Sequence, residues 1–243
     1  MSITTHRALV TGGSGDIGAA VCTALAAGGH FVHVHANANP ARAEAVVAAI
    51  RAQGGAAAAV AFDLTDAAAT RTAIERLLAA GTIDVLVHNA GIHDDAPLAG
   101  MRDEQWRRVI DVSLHGFFHA VQPLLLPMAR TRFGRIVCVS SVAAVLGNRG
   151  QVNYAAAKSA LHGAAKSLAR EMASRGITVN VVAPGIISGR MAAAAFDDAQ
   201  VRQLVPAGRA GTPDEVAALI AFLCSDAAGY VNGQVIGING GMG

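Results

Sequence analysis

The chain has 243 residues, of which 53% are hydrophobic and 15% charged, and its formal net charge is +2. This length and composition suit one large α/β domain with a substantial core, and they exclude a disordered chain. The small positive charge argues against a nucleic-acid-binding surface. Because the chain shows no signal pattern and no uninterrupted apolar run of ~18 residues, we expect a soluble cytoplasmic protein whose three cysteines are buried free thiols.

Short apolar runs alternate with longer helical patterns along the chain. The short runs predict seven strands, at Arg7–Thr11, Phe31–His35, Ala57–Phe62, Asp84–His88, Arg135–Ser140, Thr178–Ala183 and Gln234–Ile238. The longer patterns predict helices at Ile17–Ala27, Pro40–Gln53, Ala67–Ala80, Asp103–Thr131, Asn153–Ser174 and Pro213–Cys224. We expect Pro123 and Pro127 to bend the long middle helix, and Thr212 to cap the last one. The alternation predicts a single-domain, Rossmann-type doubly wound parallel sheet over residues 1–243, with helices on both faces.

The first predicted strand leads into a glycine-rich turn, Thr11-Gly12-Gly13-Ser14-Gly15-Asp16-Ile17-Gly18. Glycines permit a tight turn and a close approach of the backbone to a pyrophosphate, which the N-terminus of the following helix stabilises. Such a turn also occurs without a ligand, but its position between the first strand and a helix favours a dinucleotide. Asp63, at the end of the third strand, lies where the adenine is expected, and a helix N-cap is the alternative interpretation.

Tyr154 and Lys158 are four positions apart in a chain with only two tyrosines. Residues at positions i and i+4 share a helix face, so the phenol would lie beside the ammonium. A nearby cation lowers the pKa of a phenol from its usual ~10 towards a value useful for proton transfer. The spacing therefore indicates a catalytic pair, and two surface residues that meet by chance are the alternative.

Taken together, these features resemble those of the short-chain dehydrogenases/reductases. The resemblance rests on the glycine turn, on Asn89-Ala90-Gly91 after the fourth strand, on Ser141, and on Tyr154 with Lys158. It extends over essentially the whole chain. It is greatest to bacterial 3-oxoacyl-acyl-carrier-protein reductases, in segments 150–158, 167–171, 176–185 and 239–242.

The resemblance implies roles for individual residues. Tyr154 would protonate the substrate carbonyl oxygen, Ser141 would donate a hydrogen bond to that oxygen, and Lys158 would lower the pKa of Tyr154 and hold the nicotinamide ribose. Ser113 takes the place of a family asparagine that holds a relay water. The implied coenzyme site comprises Gly12, Ser14, Gly15, Asp16, Ile17, Gly18, Asn37, Asp63, Leu64, Asn89, Ala90, Gly91, Tyr154, Lys158, Pro184, Gly185 and Ile187.

Three positions depart from the family pattern at this site. Asp16 occupies the place of the second glycine, from which we expect a locally altered turn. Ser113 in place of asparagine implies a modified relay rather than an inactive enzyme. The family threonine that contacts the nicotinamide falls at Gly189, and Ser188 or the backbone of Ile187 would substitute for it.

The end of the second strand bears on the choice of coenzyme. It contains Asn37 and no acidic residue to bind a ribose 2′-hydroxyl, which favours a 2′-phosphate and hence NADPH over NADH. Against this, the turn contains no arginine and Asp16 would repel a phosphate, so Arg42 is the nearest cation. We expect no metal site, although His33 with His35 and His115 with His119 have spacings that place each pair on one face.

By this resemblance, the chain is expected to reduce 3-oxoacyl thioesters on acyl carrier protein with NADPH, in fatty-acid synthesis or in polyketide or aryl polyene assembly. Arg130, Arg132 and Arg175 match family positions near the cleft that meet the acidic carrier, and ordinary helix-end arginines are the alternative. The family also implies a homotetramer. Two other functions stay open: an NAD-dependent dehydrogenase of a sugar, polyol or other secondary alcohol, and a nucleotide-binding regulatory protein without turnover.

Overall fold

Seven parallel strands form one sheet in the order β3-β2-β1-β4-β5-β6-β7 in the computed structural model, which describes residues 6–190 and 196–243. The strands are β1 Arg7–Thr11, β2 Phe31–Ala36, β3 Ala56–Ala61, β4 Val85–His88, β5 Gly134–Val139, β6 Ile177–Pro184 and β7 Val235–Ile238. All seven predicted strands are confirmed, with ends that differ by one residue at most. The chain leaves β1 for β2 and β3 on one side and then crosses to β4 on the other, so a crevice opens between the carboxyl ends of β1 and β4.

Helices cover both faces of the sheet. Those described are α1 Asp16–Ala27, α2 Pro40–Ala52, α3 Ala67–Ala79, α4 Asp103–Ile110, α5 Gly116–Thr131, α6 Ala143–Leu146, α7 Val152–Met172, α8 Asp198–Leu204 and α9 Pro213–Cys224. Short 3₁₀ turns occupy Leu98–Gly100, Ala173–Arg175 and Asp226–Ala228. The sequence did not predict α6 and α8, because each is too short to show a helical period. Thr212 caps α9 as predicted, since its side chain accepts a hydrogen bond from the Glu215 amide.

Two apolar layers hold the helices to the sheet. One contains Val21 and Leu25 of α1 with Ile220 and Leu223 of α9, and the other contains Leu124 of α5 among residues of α3 and α7. Because both faces are covered, the central strands are buried over their whole length. The three cysteines are buried and free, as expected.

The long middle helix is interrupted, though not where its prolines are. A π-helical turn at Asp111–His115 separates α4 from α5, whereas α5 runs continuously through Pro123 and Pro127. Among the described residues, Asp103–Thr131 is the one stretch long and apolar enough to span a membrane by length and composition, with a mean hydropathy of 1.3. Its inner face packs in the core. On its outer face Phe118 is 62% and Leu126 69% exposed, so an apolar surface remains on this helix.

Candidate active site

The glycine turn closes tightly at the mouth of the crevice. The Gly15 amide donates to the Gly12 carbonyl at 3.0 Å, and Gly12 has a φ of +62°. A Cβ on Gly18 would lie 2.2 Å from the Gly12 carbonyl oxygen, so no other residue fits there. Among residues 6–190 and 196–243, no side chain caps α1, which leaves its first amide groups free for an anionic ligand. The turn therefore fits the pyrophosphate of a dinucleotide.

Side chains from neighbouring strands brace this turn. The Thr11 hydroxyl accepts hydrogen bonds from the Asn89 and Ala90 amides, and the Asn89 side chain donates to the carbonyls of Thr11 and Gly12. The Gly12 amide donates to His35 Nδ1 at 3.1 Å, and His35 Nε2 donates to the Phe62 carbonyl at 2.9 Å. Burial lowers the pKa of His35, so its neutral ring serves as this brace.

Ser141, Tyr154 and Lys158 meet at the carboxyl edge of the sheet. Ser141 follows β5, and its hydroxyl accepts a hydrogen bond from the Ala143 amide at 3.1 Å. Tyr154 lies in the first turn of α7, with its phenol close enough to the Ser141 side chain for that side chain to act on the pKa of the phenol. Lys158 Nζ lies 5.9 Å from the centre of the Tyr154 ring and donates to the Val139 carbonyl at 2.9 Å. The structure thus brings together the three predicted catalytic side chains.

The electrostatics of this trio differ from the sequence prediction. The pKa of Tyr154 is raised, chiefly because burial disfavours the phenolate, and the nearby Ser141 side chain only partly offsets this. The predicted lowering of the Tyr154 pKa by Lys158 is therefore not seen in the protein alone. Burial instead lowers the pKa of Lys158 to about 8. The buried ammonium donates to a backbone carbonyl, and no ion pair with a carboxylate is found for it within the described residues, so burial is not offset by a carboxylate and the group titrates close to neutral pH.

Lys158 reaches its position because residue 91 is glycine. A Cβ on Gly91 would lie 2.7 Å from Lys158 Nζ and 3.5 Å from Ser113 Oγ. Both polar atoms therefore border the same small space. The Ser113 side chain is fully buried in the π-helical turn, and its hydroxyl has no hydrogen-bond partner in the part of the chain that the structure describes. An unpaired buried hydroxyl beside an ammonium fits the expected water position.

A buried histidine that the sequence did not single out lies behind Ser113. His88 Nε2 donates to the Ser113 carbonyl at 2.9 Å, and its Nδ1 lies 3.3 Å from the Thr11 hydroxyl. Burial lowers the pKa of His88 to about 3, and the positive charge of Lys158 adds to this, so the ring is neutral. It links the glycine turn to the π-helical turn. No sequence signal marks it, since it reads as one more residue of an apolar strand.

Ser140 also has a structural role beside the catalytic serine. Its hydroxyl contacts His162 Nε2 at 2.8 Å and donates to the Lys158 carbonyl at 3.1 Å. Both partners belong to α7, the helix that also carries Tyr154. Ser140 therefore ties the end of β5 to the helix that carries Tyr154.

Asp16, the least expected residue of the turn, is neutralised by an arginine far along the chain. Its carboxylate accepts hydrogen bonds from the backbone amide, Nε and Nη2 of Arg190, at 3.0, 3.2 and 3.0 Å. The bond from the Arg190 amide is the main reason that the pKa of Asp16 is lowered. Gly189 has a φ of +146°, and a Cβ there would lie 2.7 Å from the Asp16 carboxylate. Gly189 thus leaves room for Asp16.

The expected adenosine end lies at the ends of β2 and β3. Asn37 follows β2 and is exposed, while Leu64 is buried just after β3. Asp63 accepts hydrogen bonds from the amide and hydroxyl of Thr65. The alternative interpretation of Asp63 as a helix cap is wrong, because Asp66 caps α3. Arg42 extends from α2 across this edge and donates to the Ser14 carbonyl at 2.9 Å.

The histidines of interest as metal ligands bind other partners. His33 lies 3.0 Å from the Arg7 guanidinium, and His119 binds the Leu64 carbonyl at 2.7 Å. His115 pairs with Asp111 on the helix surface. Within residues 6–190 and 196–243, no three side chains of His, Cys, Asp or Glu converge as a metal site.

The loop after β4 is bound to the start of α7 by side-chain hydrogen bonds. Asp95 accepts a hydrogen bond from Gln151 at 2.9 Å and pairs with His93 at 3.2 Å. The buried Asn153 side chain donates to the Asp94 carbonyl. These bonds fix the loop to the start of α7, close enough that the charge of Asp95 contributes to the raised pKa of Tyr154.

The three predicted partner-binding arginines do not border this cleft. Arg130 and Arg132 precede the amino end of β5, and Arg175 precedes the amino end of β6. Ser141 lies beyond the opposite end of β5, whose six residues span roughly 20 Å at ~3.3 Å each. Arg132 donates to the Ser174 carbonyl at 3.0 Å. The expectation that these side chains lie near the cleft of their own chain is therefore wrong, because residues before and after one strand lie at opposite edges of the sheet.

Comparisons with known proteins agree over almost the whole chain. A family model described as enoyl-(acyl carrier protein) reductase matches residues 13–243. The 3-oxoacyl-[acyl-carrier-protein] reductase FabG of Staphylococcus aureus is 43% identical over 241 residues, covering 98% of both chains. The enzyme of the same name from Escherichia coli is 44% identical over 239 residues, covering 97% of this chain and 96% of its own. A crystal structure described as a putative gluconate dehydrogenase from Agrobacterium tumefaciens superimposes with a TM-score of 0.94 at 34% identity, covering 98% of this chain and 95% of its own.

Proposed function

This chain belongs to the short-chain dehydrogenase/reductase family of NAD(P)H-dependent oxidoreductases, and we propose that it reduces 3-oxoacyl thioesters on acyl carrier protein to 3-hydroxyacyl thioesters. The observation that carries the proposal is that Ser141, Tyr154 and Lys158 converge at the carboxyl edge of the sheet, with Lys158 Nζ 5.9 Å from the centre of the Tyr154 ring. This arrangement is a proton donor and an oxyanion-stabilising donor aimed at one carbonyl oxygen. The same trio argues against a regulatory protein without turnover.

In the proposed reaction, the Tyr154 hydroxyl transfers its proton to the carbonyl oxygen as negative charge develops there. Ser141 donates a hydrogen bond to that oxygen. The raised pKa of Tyr154 keeps the phenol protonated and ready to act as an acid. Lys158 donates one N–H to Val139, and its remaining N–H groups are free for the coenzyme ribose and for a water. Ser113 borders the same space, so a water there would link the ammonium to the serine hydroxyl and resupply the proton.

The coenzyme supplies hydride to the carbonyl carbon when it is bound. The residues that would hold it are the amides at the start of α1 for the pyrophosphate, Asn89 to Gly91 along the crevice, and Lys158 for the ribose. We propose NADPH as the preferred coenzyme because the Arg42 guanidinium binds the Ser14 carbonyl of the turn and no carboxylate ends β2. Asp16 does not count against a phosphate, since Arg190 balances its charge.

The residues around the trio favour an acyl substrate over a sugar. Val145 and Leu146 of α6, just after Ser141, are 53% and 56% exposed, and Val152, at the start of α7 before Tyr154, is 41% exposed. Exposed apolar side chains beside a catalytic cleft suit an acyl chain better than a polyol. The structural likeness to a putative gluconate dehydrogenase keeps a sugar-acid alcohol as a second candidate.

The carrier protein would approach through a neighbouring subunit. Arg130, Arg132 and Arg175 lie at the edge of the sheet away from Ser141, so they can guide an acidic carrier only to a cleft on another copy of the chain. We therefore propose a homotetramer whose interface includes α4, α5 and α7. The exposed Phe118 and Leu126 of α5 support such an interface. We also propose that the protein acts in the cytoplasm.

One assay separates these candidates. The purified protein is incubated with NADPH or NADH and either acetoacetyl thioester, a sugar ketone or no substrate, and with NAD⁺ or NADP⁺ and gluconate. The proposal requires NADPH oxidation that depends on the thioester. Turnover of gluconate or the sugar ketone in preference to the thioester would replace it with the second candidate, and coenzyme binding without any turnover would favour the regulatory protein.

A further inference from the structure

The ion pair between Asp16 and Arg190 joins two parts of the site that are remote in sequence. Asp16 is the first residue of α1, and Arg190 lies six residues beyond Pro184, the last residue of β6. Three hydrogen bonds connect them, one from the Arg190 backbone and two from its guanidinium. A bond from the backbone fixes the position of the loop itself, and not only that of a side chain.

The loop has to cross the crevice to make this contact. In the sheet, β4 and β5 lie between β1 and β6, and at ~4.8 Å between neighbouring strands the distance from β6 to β1 is roughly 14 Å. Six residues reach at most ~20 Å when extended. Segment 185–190 therefore passes across the carboxyl ends of β5 and β4, the edge that also carries Ser141.

The middle of segment 185–190 is held by backbone hydrogen bonds to another part of the chain. The Ser188 amide donates to the Gly211 carbonyl at 2.8 Å, and the Gly211 amide donates to the Ile186 carbonyl at 2.9 Å. These bonds hold the middle of the segment to the chain before α9. Beyond them, within the described residues, the side-chain hydrogen bonds that attach Arg190 to the glycine turn all go to Asp16.

Asp16 and Gly189 are thus complementary. Each departs from the family pattern, and the glycine at position 189 leaves room for the carboxylate at position 16. An uncompensated carboxylate would repel a pyrophosphate at the start of α1, and a side chain at position 189 would collide with Asp16 at 2.7 Å. With Arg190 in place, the carboxylate is bound by three hydrogen bonds and is balanced in charge.

We propose that Asp16 and Arg190 are a positioning pair that holds the loop after β6 over the bound dinucleotide and slows its release. The proposal rests on the coenzyme site of the proposed function. Asp16 acts through Arg190, and neither side chain takes part in the transfer of the proton. Because both members are partly exposed, at 36% and 65% of their side-chain surface, we expect an effect of about two- to fivefold, the range of exposed ion pairs.

The test compares coenzyme binding by Asp16→Asn, Arg190→Gln and the double variant. The dissociation constant and dissociation rate of NADPH are measured from the fluorescence of the bound coenzyme, without substrate. If the pair holds the loop over the coenzyme, both single variants raise the dissociation rate of NADPH about two- to fivefold, and the double variant has the same dissociation rate as either single one. If the two charges act independently on the phosphates, Asp16→Asn tightens binding while Arg190→Gln weakens it, and the effects add.

A matched control uses the exposed pair of Asp103 and Arg107 on α4. The variants Asp103→Asn and Arg107→Gln change the net charge by the same amounts, and we expect them to leave the NADPH dissociation rate unchanged. Thermal unfolding of every variant confirms that it is folded. If the two single variants change the NADPH dissociation rate in opposite directions, or if neither changes it, the proposal that the pair holds the loop over the coenzyme is wrong. Failure of the wild-type protein to bind either coenzyme would instead overturn the proposed coenzyme site, and with it the proposed role of the ion pair.

Discussion

Gly91→Ala tests whether catalysis requires Lys158 to occupy the position that the absence of a side chain at residue 91 leaves open. The added Cβ would lie 2.7 Å from Lys158 Nζ and 3.1 Å from its Cε. Ordinary contact requires ~3.5–4 Å, so the ammonium must retreat by about 1 Å. Displacement of a positioned group by ~1 Å costs on the order of 10²-fold in rate. We therefore expect kcat to fall by about that factor.

The fold itself should tolerate this change. The atoms that the new methyl group meets are at the far end of a flexible lysine, so they can move without shifting the backbone. Steady-state reduction of acetoacetyl thioester measures the loss of activity, and thermal unfolding measures stability. Gly100→Ala is the control, because a Cβ there meets nothing within 4 Å. A Gly91→Ala protein with more than half of the wild-type kcat would show that catalysis does not depend on this position of Lys158.

The remaining predictions concern the proton donor Tyr154, the neighbouring Lys158, the choice of coenzyme and the binding of acyl carrier protein. Tyr154→Phe should lower kcat by ~10²–10⁴ while the Kd for NADPH changes little, and a rate above a tenth of wild type would contradict its role as the acid. The reductive rate should fall as pH rises through about 8, where Lys158 loses its proton, and in a pH profile Lys158→Met should lack that inflection. Arg42→Ala should lower kcat/KM for NADPH about tenfold or more and spare NADH, since a charged hydrogen bond contributes ~1.5–3 kcal/mol; equal losses would remove its assignment to the 2′-phosphate. Arg132→Glu with Arg175→Glu should raise KM for a carrier-bound substrate and spare a small thioester, and an equal effect on both substrates would exclude a docking role.

Much of the fold could be predicted because its signals are local. Each strand is a short apolar run between turns, and each long helix shows its own period, so seven strands and the main helices are found within a residue or two. The i, i+4 spacing of Tyr154 and Lys158 is also local. A helix fixes that geometry wherever it lies in the molecule. The family resemblance then added Ser141, whose distance in sequence has no geometric meaning until the sheet is assembled.

Burial and long-range pairing could not be predicted in the same way. The sequence predicted a lowered pKa for Tyr154 because it shows a cation nearby, but the desolvation that dominates depends on everything packed around the phenol. His88 acquires its role only when β4 lies beside β1 and the π-helical turn. Arg132 and Ser141 are close in sequence, yet a whole strand separates them in space.

Asp16 shows most clearly which properties of the site follow from the sequence and which depend on the tertiary structure. By itself, the sequence determined that an acidic residue stands in a phosphate-binding turn, and local reasoning could assign it only repulsion. The partner that reverses this conclusion is 174 residues away. Arg190 reaches it only because parallel strands bring all their carboxyl ends to one edge, where loops from distant parts of the chain meet. Sequence patterns determined the elements and the chemistry they carry, whereas the sheet order decided which charges share a site.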